Sequence, residues 1–273
     1  MNMTVLSRTR LLLASTLLVL VLLGCTNQPA STALPVVNAP EAPETLPEGA
    51  GVRVLFLGNS LTYYHDLPAL VQALAAAGGV QLRWLASTVP NANLEDQWNN
   101  SRARNLLARN QWDFVVMQQG PSSLPESQAD IKKWSVIWAD AIRKRGAQPA
   151  LYMVWPYQGQ RNGFKLVAQS YRNAATASKA LVFPAGEAWE ESLRMDGSLA
   201  LYDPDRLHPT PAGSYLAALI VTHGLTGVEP EKAPARLRLA SGKVFELPDA
   251  RAATLRQAAA KVVARNKAMD APK

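Results

Sequence analysis

A single cysteine, Cys25, occurs in the 273 residues, so neither an intramolecular disulfide nor a cysteine-based zinc cluster can form. Histidine is scarce as well, with three in the chain, and no histidine–carboxylate cluster in the sequence suggests a metal site. Charged residues make up 18% of the chain, few for a soluble domain. The formal net charge of +7 is spread without a long Lys/Arg run, which gives no support to a nucleic-acid partner. The longest apolar run, residues 11–23, is too short for a comfortable membrane span. What the chain does have is 48% hydrophobic residues over a length that suits one large domain.

Arg8 and Arg10 precede that apolar run, and a positive segment followed by a short hydrophobic one predicts an export signal over residues 1–24. Its removal takes two arginines with it and lowers the formal charge from +7 to +5. The run ends Leu22-Leu23-Gly24-Cys25, which resembles the bacterial lipobox, whose cysteine becomes the lipidated first residue. The competing reading is a plain secretory signal with an incidental cysteine. Lipidation at Cys25 implies a soluble domain held at a membrane surface in the cell envelope. Thr26, where an aspartate would favour the inner membrane, leans towards the outer membrane, facing the periplasm or the cell surface. Residues 25–50 carry five prolines among small polar residues and read as an extended tether.

From residue 51 the pattern changes. Val52-Arg-Val-Leu-Phe-Leu-Gly58 reads as a strand, Asn59-Ser60 as a tight turn, and Leu67, Leu70, Val71 and Leu74 as one face of a helix stopped at Gly78-Gly79. Further strands are expected at 80–89, 112–117, 150–155 and 181–183. Helices are expected at 94–110, around Ile131, Trp134, Trp138 and Ile142, at 164–179 and at 212–223. This alternation predicts an α/β domain over residues 51–228 with a parallel sheet covered on both faces. Residues 236–247 predict a hairpin around Ser241-Gly242 and residues 250–265 a last helix, so 229–273 forms a C-terminal addition packed on the domain.

The turn after the first strand places a hydroxyl, Ser60, where open α/β sheets keep their binding crevice. Backbone N–H groups at the start of the following helix favour negative charge there. A nucleophile beside an oxyanion site is one reading; Gly, Asn and Ser are also ordinary surface-turn residues. Gly58-Asn59-Ser60 lacks the lysine and glycine spacing of a nucleotide-binding loop, although phosphate binding at the turn is a weaker alternative. A serine needs a base. His65 follows the turn directly and reads as a loop or helix-start residue, and His223 lies on the apolar final helix of the domain. His208 sits in a loop, Asp203-Pro-Asp205-Arg-Leu-His208-Pro, with Asp205 three residues ahead. That spacing lets the carboxylate reach the ring nitrogen facing away from a serine; taken without Ser60, the pair reads as a loop salt bridge.

Gly58-Asn59-Ser60-Leu61-Thr62 and Asp205-x-x-His208 together resemble the first and last sequence blocks of the SGNH (GDSL-like) hydrolase superfamily, in chain order and spacing over residues 51–228. The resemblance implies a flavodoxin-like three-layer α/β/α sandwich with a mostly parallel five-stranded sheet. It also implies a serine esterase with Ser60 as nucleophile, His208 as general base and Asp205 as orienting carboxylate, and no cofactor. The middle blocks depart from the family pattern. Where a glycine N–H usually helps to bind the oxyanion, this chain has Pro90-Asn91, and proline has no N–H to give, so the Asn91 backbone is the candidate. Where Gly-x-Asn is usual, Gly120-Pro121-Ser122 stands, so the Ser122 hydroxyl, or Gln119 in its place, is expected to donate. Tyr63, Tyr64, Trp155 and Tyr157 fall near the carboxyl ends of strands, where aromatic rings either line a cleft or cover loops.

The resulting expectation is a lipid-anchored envelope esterase acting on small-molecule or glycan esters. Removal of an O-acetyl or short acyl group from a carbohydrate is permitted by family and location. The altered middle blocks keep open a non-catalytic carbohydrate-binding or envelope-assembly lipoprotein on the same fold. An O-acyltransferase differs only in whether an alcohol or water attacks the acyl-enzyme.

Overall fold

The computed structural model describes residues 44–160 and 162–270. The expected export signal (1–24), Cys25 and most of the tether (25–50) lie outside the described residues. Among those described, no helix is long and apolar enough to cross a membrane.

Five strands form one sheet: β1 (Val52–Gly58), β2 (Leu82–Thr88), β3 (Phe114–Met117), β4 (Gln148–Tyr152) and β5 (Leu181–Phe183). Their order is β2-β1-β3-β4-β5 with every pairing parallel, the flavodoxin-like arrangement. Val54, Leu55, Phe56 and Leu57 of β1, like Val115 and Val116 of β3, are buried whichever way they point. A strand covered on both faces needs such an unbroken apolar run rather than an alternating one.

Short α1 (Ser60–Tyr63) and a 3₁₀ turn (Tyr64–Asp66) lead into α2 (Leu67–Ala77). Then follow α3 (Leu94–Asn99), α4 (Ser101–Arg109), α5 (Pro125–Lys144), α6 (Gly163–Ser178), α7 (Ala185–Met195) and α8 (Pro211–Thr226). α2 packs against α8, whereas α5 packs against α6 and α3. The C-terminal addition is an antiparallel hairpin, β6 (Arg236–Arg238) and β7 (Val244–Glu246), followed by α9 (Asp249–Asp270). Phe245 of the hairpin stacks on Tyr215 of α8, with ring centroids 5.9 Å apart. α9 lies against α7 and α8, and Glu187 of α7 meets Arg265 (3.5 Å) and Asn266 (3.3 Å) of α9.

Two elements differ from the sequence expectation. The single helix expected at 94–110 is two, because Asn100 leaves helical geometry (ψ 117°) and its side chain accepts the Arg102 N–H at 2.9 Å. Asn and Ser side chains compete with helical hydrogen bonding, and Asn99-Asn100-Ser101 concentrates three of them. α7 was not expected. Its buried residues are Ala185, Gly186, Ala188, Trp189, Glu191 and Ser192, a face in which Trp189 is the one large apolar side chain.

Candidate active site

β1, β2 and β3 finish level with one another, Gly58 pairing with Thr88 and Leu57 with Met117. The loops that follow them therefore gather at one place, beside the strand from which the sheet is built out in both directions. Gly58 makes the turn possible: a Cβ there would lie 2.4 Å from Thr62 Oγ1 and 2.5 Å from Gln118 Oε1. Asn59 caps α1, its Oδ1 accepting the Leu61 N–H (3.1 Å) while its Nδ2 donates to the Ala92 carbonyl (2.9 Å). An aspartate in its place has no proton for that second bond. Gln118 Oε1 accepts the Asn59 N–H (2.9 Å) and the Thr62 hydroxyl (2.7 Å), and its Nε2 donates to the Gln119 carbonyl (2.8 Å). Gln97 Nε2 donates to the Gly58 carbonyl at 2.7 Å. Ser60 thus sits on a turn held by three buried amide side chains. As the first residue of α1 its N–H has no acceptor within the helix.

The loop between α7 and α8 brings the second group. It closes on itself through Asp203 N–H to the His208 carbonyl (2.8 Å) and Arg206 N–H to the Asp203 carbonyl (2.9 Å), with Arg206 in the left-handed region (φ 66°). Asp205 Oδ1 accepts the N–H groups of Leu207 and His208, each at 2.9 Å, and Oδ2 hydrogen-bonds His208 Nδ1. His208 Nε2 lies 2.7 Å from Ser60 Oγ. A carboxylate only accepts, so Nδ1 carries the proton and Nε2 is left to accept from the hydroxyl. Burial works against ionisation of Asp205, but the bonds from the His208 ring and the two backbone N–H groups outweigh it, and the carboxyl is held below its ordinary value.

Three contacts fix this loop from outside. Trp155 Nε1 donates to the Leu207 carbonyl (2.9 Å), the Tyr202 hydroxyl to the Pro156 carbonyl (3.0 Å) and His65 Nε2 to the Pro209 carbonyl (2.9 Å). Trp155 itself stacks on Trp189 of α7 at 3.6 Å. Tyr64 lies face to face with the His208 ring, centroids 4.1 Å apart and planes 13° from parallel.

Beside Ser60 opens a cleft of about 610 Å³, walled by Asn91, Gln119, Ser122, Asp130 and Tyr157 among others. Asn91 (φ 59°) and Ser122 (φ 52°) both hold left-handed backbone on its wall, a conformation that costs energy for residues other than glycine and concentrates at functional sites. The Gln119 side chain is fully engaged: its Oε1 accepts the Leu94 N–H (3.1 Å), and its Nε2 faces Ser122 Oγ (3.3 Å). Ser122 Oγ donates to the Gly120 carbonyl at 3.0 Å. Burial raises the Asp130 carboxyl above its ordinary value, against a hydrogen bond from Gln119.

The structure therefore brings Ser60, His208 and Asp205 into one chain of hydrogen bonds and sets Asn91, Gln119 and Ser122 around the adjoining cleft. Of the four aromatic candidates, Tyr157 lines the cleft, Trp155 is buried beneath the histidine loop, Tyr64 backs the imidazole, and Tyr63 lies beside Tyr64 rather than among the cleft-lining residues. Among the described residues, no group of three or more His, Cys, Asp or Glu side chains is arranged to hold a metal ion. Gln118, Gln97, Tyr64 and Trp155 carry supporting roles that motif reading did not assign; the Gln118-Gln119 pair directly after β3 was the one local signal.

No protein-family model matches the chain, and no curated protein matches it. Solved structures do. A protein described as an SGNH hydrolase from Slackia heliotrinireducens is 28% identical, with a TM-score of 0.55 over 64% of this chain and 98% of its own. A DUF4886 family protein from Bacteroides uniformis is 18% identical, with a TM-score of 0.62 over 80% of this chain and 96% of its own. The lipase/acylhydrolase from Enterococcus faecalis is 16% identical, with a TM-score of 0.51 over 64% and 96%.

Proposed function

We propose that this chain, whose fold is that of the SGNH hydrolases, is a serine esterase that cleaves carboxylic esters through an acyl-enzyme. The observation that carries the reading is the hydrogen-bonded line from Asp205 through His208 to Ser60, with Nε2 2.7 Å from the hydroxyl oxygen. As Ser60 Oγ attacks the ester carbonyl, His208 Nε2 takes its proton, and Asp205 steadies the imidazolium. The negative charge on the former carbonyl oxygen is met by backbone N–H groups, that of Ser60 at the turn and that of Asn91 in the loop after β2 being the candidates. His208 then hands the proton to the departing alcohol. Water, deprotonated by the same nitrogen, releases the acid in a second round. Ser122 and Gln119 take part in the oxyanion site only after giving up the bonds they now make.

The cleft wall joins serines, Asn93 and Asp130 to Leu61, Ala92, Pro121, Leu124 and Leu207, with the half-exposed ring of Tyr157 beside them, a mixture that admits a polar alcohol portion such as a sugar. We take a short-chain, O-acetyl-type ester of a carbohydrate as the substrate class. The lipobox-like residues 22–25 support an anchored form of the enzyme, held at a membrane of the bacterial envelope by lipid on Cys25.

A fluorophosphonate probe and a panel of acyl esters test the activity. The wild type is expected to label and to turn over short esters. Ser60→Ala abolishes labelling, and Ser60→Ala and His208→Ala lower kcat/KM by at least about 10⁴-fold, with Asp205→Ala falling less far because it orients rather than reacts. A folded wild type that neither labels nor hydrolyses any ester refutes the esterase. Cys25→Ser is expected to move the protein from the membrane to the soluble fraction.

A further inference from the structure

We infer that Tyr64 is a positioning residue for the general base: its ring holds the His208 imidazole flat and favours the imidazolium that forms when Ser60 attacks. The inference rests on the triad reading above. The two rings overlap at 4.1 Å with planes 13° apart. Stacking in this geometry restricts rotation about the bond that swings Nε2 away from Ser60. It also lays a ring quadrupole under a cation once the imidazole is protonated, an interaction worth more as water is excluded.

The segment that carries Tyr64 is built to hold it there. His65 has left-handed backbone (φ 52°), which breaks the helix after Tyr64, and its Nε2 donates to the Pro209 carbonyl in the histidine loop. The Tyr63 ring lies 5.8 Å from the Tyr64 ring. The short turn after α1 is thereby tied to both partners of the reaction, Ser60 at its start and His208 across from it.

The groups facing the imidazole are Ser60 from α1, Tyr64 from the 3₁₀ turn and Asp205 from its own loop, where Asp203 acts on the Tyr64 hydroxyl and Arg206 is exposed. Burial, then the charges of Asp205 and Asp203, raise the Tyr64 hydroxyl above its ordinary value, so a neutral phenol faces the base. Both carboxylates remain when Tyr64 is changed, and the comparison isolates the ring.

The test is the pH profile of kcat/KM for the wild type, Tyr64→Phe and Tyr64→Leu. Removing a ring that favours the charged base moves the acid limb of Tyr64→Leu to lower pH by about 0.5 unit, about threefold in proton affinity, and lowers the plateau. Tyr64→Phe keeps the wild-type limb. A limb that stays put in Tyr64→Leu, or a Tyr64→Phe profile that follows Tyr64→Leu, overturns the inference. NMR titration of the imidazole protons in the same proteins reads the stack without turnover, so an inactive wild type refutes the esterase and leaves this question answerable. Should Tyr64→Leu fail to fold, the wild-type spectrum decides: ring current from Tyr64 displaces the His208 ring protons upfield, and their absence from the upfield region overturns the stack.

Discussion

Gln118 holds three neighbours at once, the Asn59 N–H, the Thr62 hydroxyl and the Gln119 carbonyl, and is 1% exposed. Leucine there fills the space but leaves those groups unmatched in the interior. Gln118→Leu is expected to destabilise the fold by about 1–3 kcal/mol in urea titration and to lower kcat through the displaced Ser60 turn. Asn59→Asp is a sharper probe, because only the bond to the Ala92 carbonyl is lost while the cap on α1 stays. We expect reduced kcat with a smaller loss of stability, about 1 kcal/mol. The meeting of Ser60, Asp205 and His208 was legible in the sequence because each lies in a short block whose own backbone creates the geometry: a strand end followed by a helix start, and a three-residue spacing that lets a carboxylate reach back to a ring. Tyr64, Gln118 and Trp155 were not legible as supports, since each meets a partner distant in sequence, Leu207 for Trp155, Asn59 for Gln118 and His208 for Tyr64, in contacts that no periodicity records.

At the level of elements, the strands were readable because a doubly covered sheet demands continuous apolar runs, and the β1 and β3 runs have no other use. α7 escaped notice for the opposite reason: its contact face is small. Gly186 shows why it must be. A Cβ there would sit 2.1 Å from the Val154 carbonyl oxygen, on the segment leading to Trp155. Gly186→Ala pushes α7 off that segment and disturbs the Trp189–Trp155 stack under the histidine loop. The expected cost is about 1–3 kcal/mol by thermal or urea unfolding, with a fall in kcat/KM beyond what the remaining folded fraction explains. Full wild-type stability in Gly186→Ala would show that α7 floats more freely than its packing indicates. The break at Asn100 was hidden differently, because helix periodicity continues through it and only the competition of side-chain amides with the backbone ends α3 there.

Across the whole molecule, the sheet has a chemical end and a structural end. At the amino ends of β1 and β3, Asp113 accepts from the Arg53 N–H (2.8 Å), Nε (3.1 Å) and Nη2 (2.7 Å), far along the strands from Ser60. The Arg53 side chain, foremost by its hydrogen bonds, holds the Asp113 carboxyl below its ordinary value. A depressed carboxyl contributes stability that is complete above its unfolded value, about 4, and is lost as pH falls through the folded one. Asp113→Asn is therefore expected to melt lower than the wild type at pH 7, by the modest amount of a partly exposed pair, about 1 kcal/mol or less, and the gap should close on acidification below pH 4. A gap that persists at low pH would assign the loss to packing. The chain also enters at this end: Leu46 bonds Asn110 and Pro47 bonds Arg83 just before β1 begins. Because β1 runs from that entry to the Ser60 turn, about 20 Å at the rise of an extended strand, the entry and the cleft lie at opposite ends of the first strand. A tag or support joined just ahead of Leu46 therefore meets the domain a strand's length from Ser60 rather than at the cleft.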